Sequence, residues 1–166
     1  MQKLQAGLIL LLIIFTVLSC NNNDNGCSLN PNINIQDETR HQNDIQTIDT
    51  FLENNDIVAR TDTSGMRFVV NEQGSGEQPT LCDNVRVMFV GRILNGAVFQ
   101  ETSEPVDFDL TSLITGWQIG VPKIQEGGSI TLYIPSTLAF GNQDRSGSGI
   151  PPNSIVVFEI DLLQIN

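Results

Sequence analysis

Apolar and polar residues alternate with a period of two over much of the chain after residue 65, which is the pattern of half-buried β-strands. The clearest runs are 66–70, 85–90, 129–134 and 154–165. The last run is apolar on both faces in places, and its better core face is the set Val156, Phe158, Ile160 and Leu162.

Turn residues separate these runs, with glycine-rich turns predicted at 74–76, 95–96 and 127–128. Residues 114–121 are long enough only for a short helix, and Pro122 discourages its extension. The pattern therefore predicts an α+β fold, in which one short helix covers the apolar face of a mostly antiparallel sheet.

A separate helix is predicted before the sheet, over residues 43–55. Asn43 and Gln46 resemble a capping box, and Asn54-Asn55 can end the helix. The helix has a single apolar stripe, so two interpretations stay open: it packs on the following domain, or it binds a partner. The stripe consists of Ile45, Ile48, Phe51 and Leu52.

The N-terminus has the pattern of a secretory signal. Lys3 precedes a 13-residue apolar run over 6–18, which is shorter than the roughly 20 residues needed to cross a bilayer. Ser19-Cys20 follows at once and resembles the lipobox of bacterial lipoproteins, in which the cysteine is acylated. We therefore expect a signal peptide over 1–19 and a protein anchored to a membrane of the bacterial cell envelope through Cys20. An ordinary secreted protein with an incidental Cys20 is the alternative.

The segment 20–40 follows the lipobox, and seven asparagines over 21–40 predict a disordered tether. The predicted organisation continues with a helix and connector over 41–64 and a domain over 65–166. Removal of 1–19, in which Lys3 is the only charge, takes the formal net charge from −11 to −12. Such an acidic chain argues against nucleic acid as a partner. The sequence leaves the oligomeric state open.

The remaining cysteines, Cys27 and Cys82, can form a disulfide bond in an oxidising compartment, or they can stay reduced. Two cysteines and one histidine, His41 in a polar stretch, do not make a metal site. We expect no metal and no cofactor.

Eight short segments between 65 and 166 resemble, in order, the motifs of the FKBP family of peptidyl-prolyl isomerases. Each segment alone is weakly specific, but the order and the spacing together are strongly specific. They are VMFVG at 87–91, NGAVF at 95–99, PVDF at 105–108, LITGW at 113–117, EGG at 126–128, IP through LAFG at 134–141, IPPN at 150–153 and VFEIDL at 157–162.

The resemblance implies an FKBP-like antiparallel sheet wrapped around the short helix, with the 43–55 helix as an addition. It also implies an apolar pocket that binds proline-containing polypeptides, with Trp117 as its floor and the backbone N–H of Ile114 as a donor to the substrate carbonyl. The loop 142–149 would overhang this pocket and select substrates, or it is a plain turn. The implied catalytic residues are Phe99, Gln100, Ile114, Trp117 and Phe140, and the implied substrate-binding residues are Phe89, Val106, Leu113, Ile150 and Phe158.

Several positions depart from the family pattern. Gln100 stands where Asp is usual, Phe89 and Phe140 stand where Tyr is usual, and Val106 is smaller than the usual Phe. The pocket walls are kept while two hydroxyls and a negative charge are lost. The sequence therefore predicts an isomerase with lowered activity that assists protein folding in the envelope. A binding or chaperone module without useful turnover is the alternative.

Overall fold

The computed structural model describes Ser28 and residues 30–166. Seven strands form one antiparallel sheet in the order β1-β2-β6-β7-β3-β4, and β5 pairs with β3 outside this path. The four predicted runs are all strands, and each lies at the position expected from the sequence. The elements are α1 (Glu38–Asn54), β1 (Arg60–Thr61), β2 (Arg67–Glu72), β3 (Asn84–Ile93), β4 (Val98–Glu101), β5 (Val106–Asp109), α2 (Thr115–Gly120), β6 (Ser129–Ile134) and β7 (Val156–Ile165).

The main core lies between one face of the sheet and α2. Strand β3 buries every second residue, and its neighbour β7 contributes the predicted set from Val156 to Leu162 to the same core. Burial of a large apolar side chain stabilises a fold by about 1.5–3 kcal/mol, so this face supplies much of the driving force for folding.

Helix α2 lies very close to β6 because two of its residues lack a side chain. A Cβ on Gly116 would lie 2.5 Å from the Ile134 side chain, and a Cβ on Gly120 would lie 2.4 Å from that of Leu132. The two glycines are one turn apart and so share a face of the helix. A 3₁₀ turn over Val121–Lys123 follows, which agrees with the short helix expected before Pro122.

Helix α1 packs on the opposite face of the sheet, as the first of the two interpretations predicted. Ile48 and Leu52 form a second core with Tyr133, Ile155 and Val157. This explains the imperfect alternation of β7, because its two faces are both covered over part of its length.

The start of α1 corrects the sequence prediction. The helix begins at Glu38 rather than at residue 43, and its N-cap is Asp37, whose carboxylate accepts the N–H of Arg40 at 2.8 Å. The extra turn was missed because its inward-facing residue is polar: His41 is 3% exposed, as is Asp44 in the next turn. His41 and Asp44 continue the buried stripe of α1, but they are polar and therefore do not contribute to a hydrophobic periodicity.

The predicted tether over 20–40 is also too long. Ile35 packs against the main core, and residues 30–37 lie along the domain up to the start of α1. Positions 20–27 and 29 of the predicted tether fall outside the described residues, as do the signal segment 1–19 and the proposed lipid attachment at Cys20. Within Ser28 and residues 30–166, no helix is long and apolar enough to cross a membrane.

Cys82 is exposed and disulfide-bonded. The pairing of Cys82 with Cys27 stays a prediction, since Cys27 lies outside the described residues.

An ion pair joins the connector after α1 to the 3₁₀ turn that follows α2. Lys123 Nζ lies 2.7 Å from an oxygen of Asp62 and also lies over the Phe68 ring, 4.8 Å from its centroid. Partial burial alone would raise the pKa of Asp62, but hydrogen bonds from Lys123 and Ser64 outweigh it and hold the pKa below its ordinary value of 3.8. The ionised form of Asp62 is therefore the form that the fold favours.

Replacement of Asp62 by Asn should lower the stability of the protein in a pH-dependent way. A depressed pKa contributes stability above the ordinary value, and that contribution disappears as the pH falls through the folded-state pKa. After allowance for solvent screening we expect the Tm to fall by about 2–4 °C at pH 7, for a contribution of about 1 kcal/mol. Thermal unfolding of both proteins from pH 7 to pH 3 should show the difference shrinking towards zero. Glu53→Gln, on the exposed surface of α1, is the control, and a difference independent of pH would contradict this assignment.

Candidate active-site cleft

Trp117 lies at the centre of an aromatic cluster beneath a cleft in the main core. The indole is 3% exposed and meets Phe89 and Phe158 edge to face, each with ring centroids 5.2 Å apart. Phe108 makes a third such contact at 6.1 Å. Edge-to-face pairs of this kind contribute about 0.5–1.5 kcal/mol beyond burial, so the cluster holds the indole in one orientation.

Gly91, near the end of β3, leaves room for this cluster. A Cβ at this position would lie 2.7 Å from the Phe99 ring and 2.8 Å from the Phe158 ring. These two rings are themselves edge to face at 5.6 Å. The last glycine of the VMFVG segment thus has a direct steric role in building the site.

The cleft above Trp117 has a volume of about 300 Å³. Seven of the ten residues predicted from the sequence line it, and three residues that the prediction omitted line it as well. The predicted ones are Phe89, Gln100, Leu113, Ile114, Trp117, Phe140 and Phe158, and the omitted ones are Phe108, Ser112 and Arg145.

Phe99, Val106 and Ile150 are not among the residues that line this cavity, and their implied roles in the site stay predictions. Phe99 instead supports the wall, with its ring edge to face against Phe140 at 6.4 Å and against Phe158. Ile150 is buried in the main core. Val106 is partly buried and packs against the same core.

Phe108 and Arg145 are the two instructive omissions. Phe108 belongs to the PVDF segment, and its position two residues after Val106 on the same face of β5 was the available signal. Arg145 belongs to the loop 142–149, and its guanidinium lies over the Phe140 ring, 4.9 Å from the centroid. The loop therefore does reach over the cleft, while its role in substrate selection stays a prediction.

Two polar groups are available for hydrogen bonds at the cleft. Ile114 precedes α2, and its backbone N–H donates to no acceptor in the described part of the chain. Gln100 is exposed on β4, and its carboxamide can both donate and accept. Arg145 carries the only charge among the residues that line the cleft.

No tyrosine hydroxyl reaches the cleft, because the single tyrosine of the chain, Tyr133, is buried under α1. Phe51 of α1 packs beside it, with ring centroids 6.2 Å apart. The cleft is thus an apolar cavity with few polar groups and one cation, and it can bind a small apolar ring on a polypeptide without forming a covalent bond.

A wider groove of about 850 Å³ lies on the other side of the molecule, between α1 and the end of β3. It is lined largely by polar side chains of α1, among them Asn43, Gln46 and Thr47. It contains none of the clustered aromatic residues around Trp117, so its size alone does not make it the better candidate site.

Comparison with known proteins gives one consistent result. A family model described as FKBP-type peptidyl-prolyl cis-trans isomerase matches residues 75–163, more than half of the chain. A probable FKBP-type peptidyl-prolyl cis-trans isomerase FkpA of Neisseria meningitidis is 41% identical over 109 residues, covering 64% of this chain and 40% of the relative. A probable isomerase of the same type from Haemophilus influenzae is 34% identical over 119 residues, covering 70% of this chain and 48% of the relative. The chain thus spans less than half the length of these two relatives.

Solved structures agree with the sequence matches. A peptidyl-prolyl cis-trans isomerase from Pseudomonas syringae superposes with a TM-score of 0.65 at 27% identity, covering 75% of this chain and 95% of that one. The predicted fold, an FKBP-like sheet with one short helix and an additional N-terminal helix, is confirmed.

Trp117→Leu should weaken the binding of a proline-containing peptide by about tenfold, or about 1.4 kcal/mol, because the flat ring that receives the proline is lost. Affinity should be measured by fluorescence anisotropy of a labelled peptide, since the only tryptophan of the chain is the one removed. Phe51→Leu is the matched control, because it removes an aromatic ring from the opposite face of the sheet. Unchanged affinity in a folded Trp117→Leu protein would place the peptide site elsewhere.

Proposed function

Because the chain belongs to the FKBP-type peptidyl-prolyl cis-trans isomerase family, we propose that it catalyses the cis-trans isomerisation of X–Pro bonds in polypeptides. The observation that carries the proposal is the position of Trp117, which forms the base of an open cleft walled by Phe89, Phe140 and Phe158. A proline ring is compact, apolar and small enough for this cavity of about 300 Å³.

The chemistry requires no bond to break. Rotation about an X–Pro bond is slow because amide resonance gives it a barrier of about 18–20 kcal/mol. The planar amide is more dipolar than the twisted amide, so an apolar cleft disfavours the planar state relative to the transition state. The N–H of Ile114 would hold the carbonyl beside the bond, while the aromatic walls hold the ring.

A second function, binding of proline-containing segments without useful turnover, is favoured by two positions. Gln100 is neutral where the family resemblance predicts Asp, and Phe140 lacks the hydroxyl that a Tyr would carry. With Arg145 as the only charge at the cleft, no negative group of the lining can stabilise the twisted bond. The two functions share one site and differ in the rate at which the bound bond rotates.

The double variant Gln100→Asp with Phe140→Tyr distinguishes these functions. Polar contacts that strengthen only in the twisted state are worth about 1–3 kcal/mol, so we expect kcat/KM for an Ala-Pro or Leu-Pro peptide to rise about 5- to 150-fold. Isomerisation should be followed in the purified protein with a chromogenic or NMR-observed peptide. Gln46→Glu adds the same charge on the exposed face of α1 and should leave the rate unchanged.

The outcomes of this assay separate the alternatives. A large gain identifies an isomerase whose activity has been lowered by Gln100 and Phe140. High wild-type activity without a gain keeps the isomerase and shows that the two departures are harmless. Inactivity of both proteins while the peptide still binds would reject the isomerase and leave the binding module.

We further propose that the protein is a lipoprotein of the bacterial cell envelope, attached to the membrane by acylation of Cys20. The support is the order of the segments in the sequence: Lys3, an apolar run, Ser19-Cys20 and then an asparagine-rich segment. Each buried methylene of an acyl chain contributes about 0.8 kcal/mol, so two or three chains hold a protein firmly at a membrane. Secreted or envelope polypeptides that contain proline would then be the substrates.

Cys20→Ser should abolish membrane attachment. The wild-type protein should sediment with membranes and incorporate a labelled fatty acid, and the Cys20→Ser protein should do neither in its mature form. Cys27→Ser is the matched control, because it replaces a neighbouring cysteine and should keep the label. Recovery of wild-type protein that is soluble and unacylated would contradict the lipid anchor.

A further inference from the structure

A buried carboxylate joins α1 to the end of β6. Asp44 is 3% exposed, and the residue that it contacts, Ser136, is fully buried. One carboxylate oxygen of Asp44 accepts the backbone N–H of Ser136 at 2.9 Å and also accepts the Ser136 hydroxyl. These two hydrogen bonds connect two elements whose contacting residues are 92 positions apart in the sequence.

Ser136 in turn closes the tight segment that carries Phe140. The Ser136 carbonyl accepts the N–H groups of Ala139 at 3.0 Å and of Gly141 at 2.8 Å. Phe140 lies between these two donors, so its backbone is held from both sides by the same carbonyl. Its ring lines the cleft and is fixed there by contacts with Phe99 and Arg145.

A second hydrogen bond strengthens the connection one helical turn away. His41 Nδ1 lies 2.6 Å from the Thr137 hydroxyl, and His41 is as deeply buried as Asp44. Gly65 permits this approach, because a Cβ there would lie 2.8 Å from His41 Nε2. Helix α1 is therefore attached to two consecutive residues, Ser136 and Thr137, at the start of the segment that forms the rim of the cleft.

We propose that Asp44 is a positioning residue of the cleft, which holds Phe140 in place through Ser136 without touching the substrate. Helix α1 lies before the matched region 75–163. On this proposal α1 nevertheless contributes to the function of the cleft, in addition to packing on the opposite face of the sheet. The proposal rests on the function proposed above, because it gives Asp44, which lies outside the matched region, a role in positioning a residue of that site.

Loss of the Asp44 carboxylate would displace Phe140, because it would leave two hydrogen-bond donors of Ser136 without an acceptor. With Ala at position 44, the N–H and hydroxyl of Ser136 would be buried without an acceptor, and the segment 136–141 would move to find new partners. A displacement of about 1 Å at a reacting site can cost about 100-fold in rate. A neutral acceptor at the same place would prevent the movement, because both donors of Ser136 need only an oxygen.

Three variants and one control test this connection in the full-length protein. We expect Asp44→Ala to lower kcat/KM for a proline tetrapeptide by about 10- to 100-fold. Asp44→Asn, which keeps an acceptor oxygen, should restore it to within about threefold of wild type. Ser136→Ala removes only the hydroxyl and should lie between the two. The matched control is Asp49→Ala on the same helix, where an exposed carboxylate pairs with Arg67 instead, and it should leave kcat/KM unchanged.

A double-mutant cycle with Phe140→Ala distinguishes positioning from general destabilisation. If Asp44 acts through Phe140, Asp44→Ala should change kcat and KM in the same proportion as Phe140→Ala, and should add nothing further in the double variant. Effects that multiply would mean that the two residues act independently, and they would overturn the proposal. A folded Asp44→Ala variant with wild-type kcat/KM would overturn it too.

Failure of the proposal can be told apart from failure of the proposed function and from failure to fold. If Asp44→Ala does not fold, the Tm shows it, and Ser136→Ala becomes the deciding variant: wild-type kcat/KM in that protein overturns the proposal. If the wild-type protein binds the peptide without turnover, only the isomerase is rejected, and the same variants are compared by peptide Kd, read from Trp117 fluorescence. A wild-type protein that neither binds nor isomerises the peptide would overturn both.

Discussion

The close approach of α2 to β6 is the constraint on which the site depends. Gly116 and Gly120 allow the helix backbone to lie directly on Ile134 and Leu132, and any larger residue would push the helix outward. Because Trp117 follows Gly116, its indole lies within the main core and also forms the base of the cleft. The same side chain is therefore a core residue and a functional residue, and its low exposure is compatible with both roles.

The cleft is made almost entirely from residues that also stabilise the fold. Phe89 and Phe158 come from β3 and β7, the two longest strands, and each contacts Trp117 edge to face. For the function proposed above, a rigid wall of this kind would restrict a bound peptide without moving itself, which would lower the entropic cost of reaching the twisted state. Polar groups are few, and the strongly acidic character of the whole chain is absent from the cleft, where Arg145 carries the only charge of the lining.

The two faces of the sheet are connected through the end of β6. On one face β6 receives α2, and directly after its last residue the chain passes through Pro135 to Ser136, where α1 is attached from the other face. The segment then turns back over the cleft to bring Phe140 to its rim. Strand β6 and the segment after it thus join α2, which carries the base of the cleft, to α1, which lies outside the matched family region.

The sequence alone was sufficient for four of the seven strands, the turns, the short helix and seven of the residues that line the cleft, because each depends on local periodicity or on motifs with a fixed spacing. Alternation identified the core face of β7, and the LITGW segment contains Trp117 and Ile114, which both line the cleft. Only the tertiary structure decided the start of α1, since the buried side chains of its first turns are His41 and Asp44, which bury well only when distant hydrogen-bond partners are present. It also showed that Phe108 lines the cleft, because the direction of a ring depends on the rings packed against it. A polar residue buried by a distant partner carries no signal in a hydrophobic pattern, and the connection from α1 to Phe140 could be seen only after the chain had folded.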